Sequence, residues 1–204
     1  RFEDEGHQYY IDYEDGTVES IPSVSDIIQP AVDYSRVDPD TMIRACEFGK
    51  NVHRAIELYL KGTLDGETLD EGLIKPLEGF KKWYLDSQIH INETFESCRS
   101  EERLFHPKLK YAGTIDLLIN HRSIVDFKTR KFDKIVDPVR LAAYRGMLPD
   151  FPPLQTYVLE IDTEGETKLV NAHHRQAWGI FRKLLNFYKR KRELEILVHN
   201  WKGK

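Results

Sequence analysis

The chain has 204 residues, 40% of them apolar and 31% charged, with a formal net charge of -4. That is the composition of one folded domain with room for a buried core, not of a disordered chain. No apolar run approaches the roughly 18 residues that a membrane span needs. The two cysteines, Cys46 and Cys98, form no Cys-x-x-Cys pair, which excludes a cysteine-built zinc or iron–sulfur site. No signal-peptide pattern opens the chain, so a cytoplasmic home is expected.

In chain order, residues 7–21 predict a β-hairpin: Tyr9, Ile11 and Tyr13 alternate, Asp15-Gly16 turns, and Val18 and Ile21 follow. Ser23 or Ser25 caps a short helix through Ile28. Asp38-Pro39 starts a helix to about residue 61, striped by Ala45, Phe48 or Gly49, Val52, Ile56 and Tyr59. A second amphipathic helix is expected over 73–87. Strands follow at 102–105, 111–119 and 124–129, with the polar turn Asn120-His121-Arg122-Ser123 between the last two. Residues 138–148 return to helix, 154–161 and 168–172 form a strand pair, and 174–194 a long basic and aromatic helix. This order gives an α+β (mixed α/β) domain over 1–204, a central mixed β-sheet flanked by helices, with a hairpin and helical elaboration over about 1–40.

Charge is uneven along the chain. The first forty residues are acidic. Lys128, Arg130, Lys131 and Lys134 form one basic group; Arg182, Lys183, Lys189, Arg190, Lys191 and Arg192 form another. The second reads equally well as a basic groove or a solvated helix face.

The chemistry concentrates in Gly113-Thr114-Ile115-Asp116-Leu117-Leu118-Ile119 and Ile124-Val125-Asp126-Phe127-Lys128-Thr129. Aspartate is depleted in strands, so one on each strand of an apolar hairpin needs a reason. Asp126 and Lys128, two apart, share a strand face. Two carboxylates can hold a hard divalent cation. The cation acidifies water and neutralises phosphoryl charge, and an ammonium beside it orients that water or stabilises the anionic transition state. Strand parity sets a condition. If Ile119 pairs with Ile124, Asp116 opposes Phe127 and the two carboxylates point to opposite faces. A shared site needs an odd turn, such as Asn120-His121-Arg122 closed by Ile119 and Ser123, or a bulge.

The pattern Gly-x-x-Asp, about ten residues, then Asp-x-Lys resembles the PD-(D/E)XK nuclease superfamily, and within it the RecB-like and phage-type exonuclease branch. Gly49-Lys50-Asn51-Val52-His53-Arg54-Ala55-Ile56-Glu57 is similar to that branch's Gly-x-x-x-His-x-x-x-Glu helix. Arg140-Leu141-Ala142-Ala143-Tyr144 resembles its Gln-x-x-x-Tyr helix, with Arg140 in place of glutamine. Glu101 matches an acidic residue on the preceding strand. The opening, His7-Gln8-Tyr9-Tyr10 and Ile21-Pro22-Ser23-Val24-Ser25, is also similar. The likeness covers roughly residues 7–160.

The resemblance implies a restriction-endonuclease-like core and a Mg²⁺- or Mn²⁺-dependent deoxyribonuclease, most simply an exonuclease of repair, recombination or phage DNA metabolism. It implies catalytic Asp116, Asp126 and Lys128. The metal ligands would be His53, Asp116, Asp126 and the Phe127 carbonyl. Arg130, Lys131, Arg140 and Tyr144 would contact substrate, with Glu57 and Glu101 supporting the ligands. DNA is the expected partner, with a homo-oligomer or a recombination protein as a further one; no membrane and no iron–sulfur cluster is expected. A structure-specific endonuclease or resolvase, or a DNA-binding module without catalysis, would share the hairpin.

Overall fold

A computed structural model describes residues 1–3, 8–33, 35, 37–90, 97–148 and 155–202. The expected starts of the first hairpin at His7 and of the late strand at Leu154 lie outside these residues. Strands β1 (Phe2–Glu3), β2 (Gln8–Asp12) and β3 (Val18–Ile21) form a small antiparallel sheet. Gly16, at φ 83°, makes the turn that Asp15-Gly16 predicts. Helix α1 (Val24–Ile28) is capped by Ser23, whose hydroxyl accepts from Asp26 N–H while the Asp26 carboxylate accepts from Ser23 N–H. Helix α2 (Pro39–Leu60) starts on Asp38, which accepts from Thr41 N–H at 2.9 Å. Helix α3 (Glu71–His90) lies beside it.

The main sheet contains β4 (Cys98–His106), β5 (Tyr111–Ile119), β6 (Ser123–Lys128), β7 (Gln155–Ile161) and β8 (Thr167–Asn171), in that spatial order. All neighbours are antiparallel except β6 and β7. That parallel pair needs a crossover, which helix α4 (Val136–Gly146) supplies. Helix α5 (Ala177–Lys202) closes the order. The mixed sheet flanked by helices is the architecture that the element order predicts. Strand β4 starts four residues earlier than its apolar residues suggest, because it pairs along the length of β5. Helix α5 runs eight residues past the expected end.

Each sheet face has its own core. Val52 and Ile56 of α2 and Leu77 and Phe80 of α3 pack on Leu117, Ile119, Val125, Phe127, Leu159 and Ile161. On the other face α1, α4 and the first half of α5 cover Ile115, Leu118, Ile124 and Val158. The small sheet docks at β5, where Ala112 N–H donates to Pro22 C=O and the Tyr9 and Thr114 hydroxyls meet at 2.8 Å. Helices α1 and α4 press close at Gly113, where a Cβ would stand 2.8 Å from the Tyr144 ring. Among the described residues, no helix is long and apolar enough to cross a membrane.

Candidate metal centre

The β5–β6 turn has the odd length that a shared carboxylate site requires. Ile119 pairs with Ser123, Leu118 with Ile124 and Leu117 with Val125, so Asn120, His121 and Arg122 form a three-residue loop. Asn120 and His121 both take left-handed backbone, at φ 50° and 55°. Continued one step, the register would set Asp116 opposite Asp126, but there the ladder gives way. Phe127 N–H donates instead to the Asp116 carboxylate, at 2.7 Å.

The same level is irregular on the other side of β5. Ser100 pairs with Leu117 and Glu102 with Ile115, and the ladder skips Glu101 and Asp116. Glu101 has φ 54°, an unusual angle for a non-glycine inside a strand. Alternation slips here: Ile115 belongs to one core and Leu117 to the other, although two residues apart should share a face. Two carboxylates are thereby released from strict alternation at one point of the sheet.

Helix α2 brings a histidine to that point. It comes close to the end of β6 at Gly49, where a Cβ would lie 3.2 Å from Thr129 Oγ1. One turn on, His53 sets Nε2 3.0 Å from the Phe127 carbonyl oxygen and Nδ1 3.4 Å from Asp116 Oδ1. A carbonyl only accepts, so Nε2 carries a proton. Neutral imidazole would then aim its Nδ1 lone pair at a carboxylate oxygen, so that gap calls for a proton or a cation. One ligand atom from each of His53, Glu101 and Asp116 lies within 4.8 Å of the others. The His53 side chain keeps 26% of its surface open.

The electrostatics point the same way. Burial works against a charged His53, but the adjacent Asp116 outweighs it and raises the imidazole pKa. Burial also opposes ionised Asp116, yet His53, then Lys128 and the Phe127 N–H, bring its carboxyl down to about 2. Glu101 is pushed up to about 7, first by burial and then by the charge of Asp116. Two crowded carboxylates and an imidazole, mixed oxygen and nitrogen donors, suit a divalent cation, with nitrogen favouring Mn²⁺ somewhat over Mg²⁺.

Asp126 and Lys128 share a strand face, as their spacing requires, and meet as an ion pair. Asp126 is 2% exposed, and burial raises its carboxyl against the pull of Lys128. The Lys128 ammonium forms an ion pair with Asp126 Oδ2, yet that oxygen has no aligned hydrogen-bond donor. Lys128 Nζ also donates to the Phe127 carbonyl at 3.0 Å. That carbonyl, expected as a metal ligand, therefore accepts from both His53 and Lys128. Among the described His, Cys, Asp and Glu side chains the candidate ligand group contains Glu101, expected only as a supporting residue, and does not include Asp126.

Other expected residues are engaged differently. Glu57 pairs with Arg54 and Lys61 rather than with His53, whose ring is held by the Phe127 carbonyl. The Arg130 guanidinium grips both oxygens of Asp137, a residue with no exposed surface, so a phosphate would have to displace it. Lys131 is open, its side chain 89% exposed. Arg140 bonds Ser25 Oγ at 3.2 Å and Tyr144, and faces Asp126, with its Nε buried and unpartnered. Tyr144 is 5% exposed and hydrogen-bonds Arg140. Sequence reasoning did not single out Glu160. It pairs in register with Lys128, is 7% exposed and accepts from Phe132 N–H at 2.6 Å. The one signal for it was an acid inside the apolar run Val158-Leu159-Glu160-Ile161.

Two expected results test this geometry. His53→Ala should weaken Mn²⁺ binding about 10- to 100-fold by calorimetry, as losses around metal sites do; unchanged affinity would remove His53 from the site. The second concerns pH. Metal-free, Glu101 holds its proton to about 7, above the ordinary 4.5, so the stability it contributes is present below 4.5 and lost as pH rises through 7. Denaturation in EDTA should show stability falling over that window, and Glu101→Gln should flatten the fall. An equal slope in the variant contradicts the assignment.

No protein-family model matches this chain, and no curated protein matches it in sequence. Solved structures do match in fold. An alkaline exonuclease from Laribacter hongkongensis superposes with a TM-score of 0.50 at 10% identity, over 89% of this chain and 92% of that one. A protein from Eubacterium rectale named as a candidate exonuclease gives 0.50 at 10% identity, over 71% and 65%. At such identity the likeness is one of overall fold, which in this chain is a five-stranded mixed sheet flanked by helices.

Proposed function

We propose that this chain is one nuclease domain of the PD-(D/E)XK type, a divalent-metal-dependent deoxyribonuclease that degrades DNA from an end. The observation that carries the proposal is the convergence of His53, Glu101 and Asp116, from three separate elements, beside a buried Lys128–Asp126 pair. The fold likeness to an alkaline exonuclease and to a protein named as a candidate exonuclease supports it.

The cation, Mg²⁺ or Mn²⁺, would be held by His53, Glu101 and Asp116 and would supply Lewis acidity toward a phosphoryl oxygen and a water. The chain's own groups do the rest. Asp116 takes the Phe127 N–H with one oxygen and turns the other to His53, which fixes the carboxylate before substrate arrives. The Phe127 carbonyl holds the imidazole and the Lys128 ammonium together. Lys128 orients the attacking water and stabilises negative charge as the water oxygen bonds to phosphorus and the P–O bond to the leaving sugar breaks. Asp126 holds the Lys128 ammonium in place through their ion pair. Lys131 and Arg140 contact flanking phosphates, Arg140 from its anchorage on Ser25 and Tyr144.

The test is an assay on linear and covalently closed circular DNA, single- and double-stranded, with Mg²⁺, Mn²⁺ or EDTA. The expected result is metal-dependent loss of linear DNA with circles intact. Cleaved circles would make the chain an endonuclease or resolvase of the same fold. No cleavage of any DNA in either metal would overturn the enzymatic reading.

A further inference from the structure

Helix α5 has 26 residues, a length of about 39 Å. Its first half packs on the protein: Ala177, Phe181 and Leu185 are buried, and Leu184 and Tyr188 lie partly in the same core. From residue 189 to 199 every position is exposed. An exposed polar helix would call for no comment, but this one is not polar. Ile180, Leu184, Phe187, Lys191, Leu194, Val198 and Trp201 recur in alternating steps of four and three. These are the a and d positions of a heptad, with Leu184, Lys191 and Val198 at a. The seam leaves the core at Leu184 and continues into solvent: Phe187 is 54% exposed, Leu194 61%, Val198 47% and Trp201 82%. Leu197, beside it at g, is 64% exposed. An apolar stripe of this length is unusual on an isolated soluble surface.

Charge and polarity indicate what covers it. With this heptad register, Arg190 falls at g and Glu195 at the following e. In a parallel, in-register pair of helices each g residue faces the e residue five positions on in its partner, so two copies would join Arg190 to Glu195 twice. Lys191 is the single polar residue of the seam and stands at a, where one lysine specifies register and helix number at a cost in stability. Glu195 lies 3.9 Å from Lys191 of its own helix, a contact that a neighbouring helix can compete for. Two such stripes, five large apolar side chains each, would bury on the order of 1,000 Å² in total, near the lower bound for a specific interface.

We propose that residues 187–201 of α5 form a two-stranded, parallel, in-register coiled coil with a second copy of this chain. The dimer is independent of the nuclease reading, since none of these residues touches the candidate metal centre.

Sedimentation equilibrium of the whole chain, at about 1 to 200 µM, tests this. The expected result is a monomer–dimer equilibrium that Leu194→Asp abolishes, with circular dichroism showing the fold intact because Leu194 is already exposed. Arg190→Glu and Glu195→Arg should each weaken the dimer about tenfold or more, and the two together should restore it. A monomer at every concentration would overturn the proposal, as would a monomer that associates only with a different protein. A dimer that survives Leu194→Asp places the contact elsewhere, and a double variant as weak as the singles excludes the parallel register.

Discussion

Asp116→Asn is expected to reduce metal-dependent cleavage by at least about a thousandfold while leaving the fold intact. The residue is 8% exposed but contributes no apolar packing. Asparagine keeps its volume and still offers an oxygen to the Phe127 N–H, so the hairpin junction survives. What disappears is the one carboxylate that is held ionised, at about 2, and shared between His53 and the Phe127 amide. Losing one preorganised charge at a phosphoryl-transfer centre costs on the order of 10²- to 10³-fold, and weakened cation binding adds to that. Glu101, no longer crowded by Asp116, should also titrate lower. Single-turnover cleavage of end-labelled DNA, with circular dichroism for the fold, decides the matter. A rate within tenfold of the unaltered protein would take Asp116 out of the reaction.

The parts of this site that could be read in the sequence are those fixed by strand parity. Asp126 and Lys128 share a face because residues two apart do so in a regular strand, and parity left an odd turn, such as Asn120-His121-Arg122, or a bulge as the ways to a common site; the three-residue loop is the one found. His53 came from a helix motif whose glycine has a visible use, the close approach at Thr129. Glu101 could not be ranked above a supporting residue. Its place depends on a φ of 54° and on a slip that moves Ile115 and Leu117 to opposite cores, and neither leaves a mark in the letters. The ion pair of Arg130, expected as a substrate contact, was hidden for a related reason. Sequence shows its charge, but not the Asp137 that the loop before α4 folds back against it. The far end of α5 was missed because 195–202 adds no buried residue to the stripe of the first half; its apolar residues continue a different one.

The Lys128–Asp126 pair offers the other large effect, and one that separates catalysis from folding. Lys128→Met keeps the length of the side chain and removes its charge. Asp126, 2% exposed and already raised by burial, then loses its ion-pair partner and keeps only the weaker pull of Arg140. Breaking a buried pair from one side costs about 3–5 kcal/mol, because the surviving charge must be neutralised or left unpaired. Cleavage should fall about 100- to 1,000-fold, since the ammonium reaches the Phe127 carbonyl beside the candidate ligands. Adding Asp126→Asn should restore much of the stability, because no lone charge is then buried, while activity stays lost. That divergence, stability recovered and chemistry not, is the signature expected if the pair serves the reaction. Urea denaturation in EDTA and single-turnover rates on the two single variants and the double one give both axes. If the double variant regains cleavage along with stability, Lys128 and Asp126 act only as a structural pair, and the chemistry rests on His53, Glu101 and Asp116 alone.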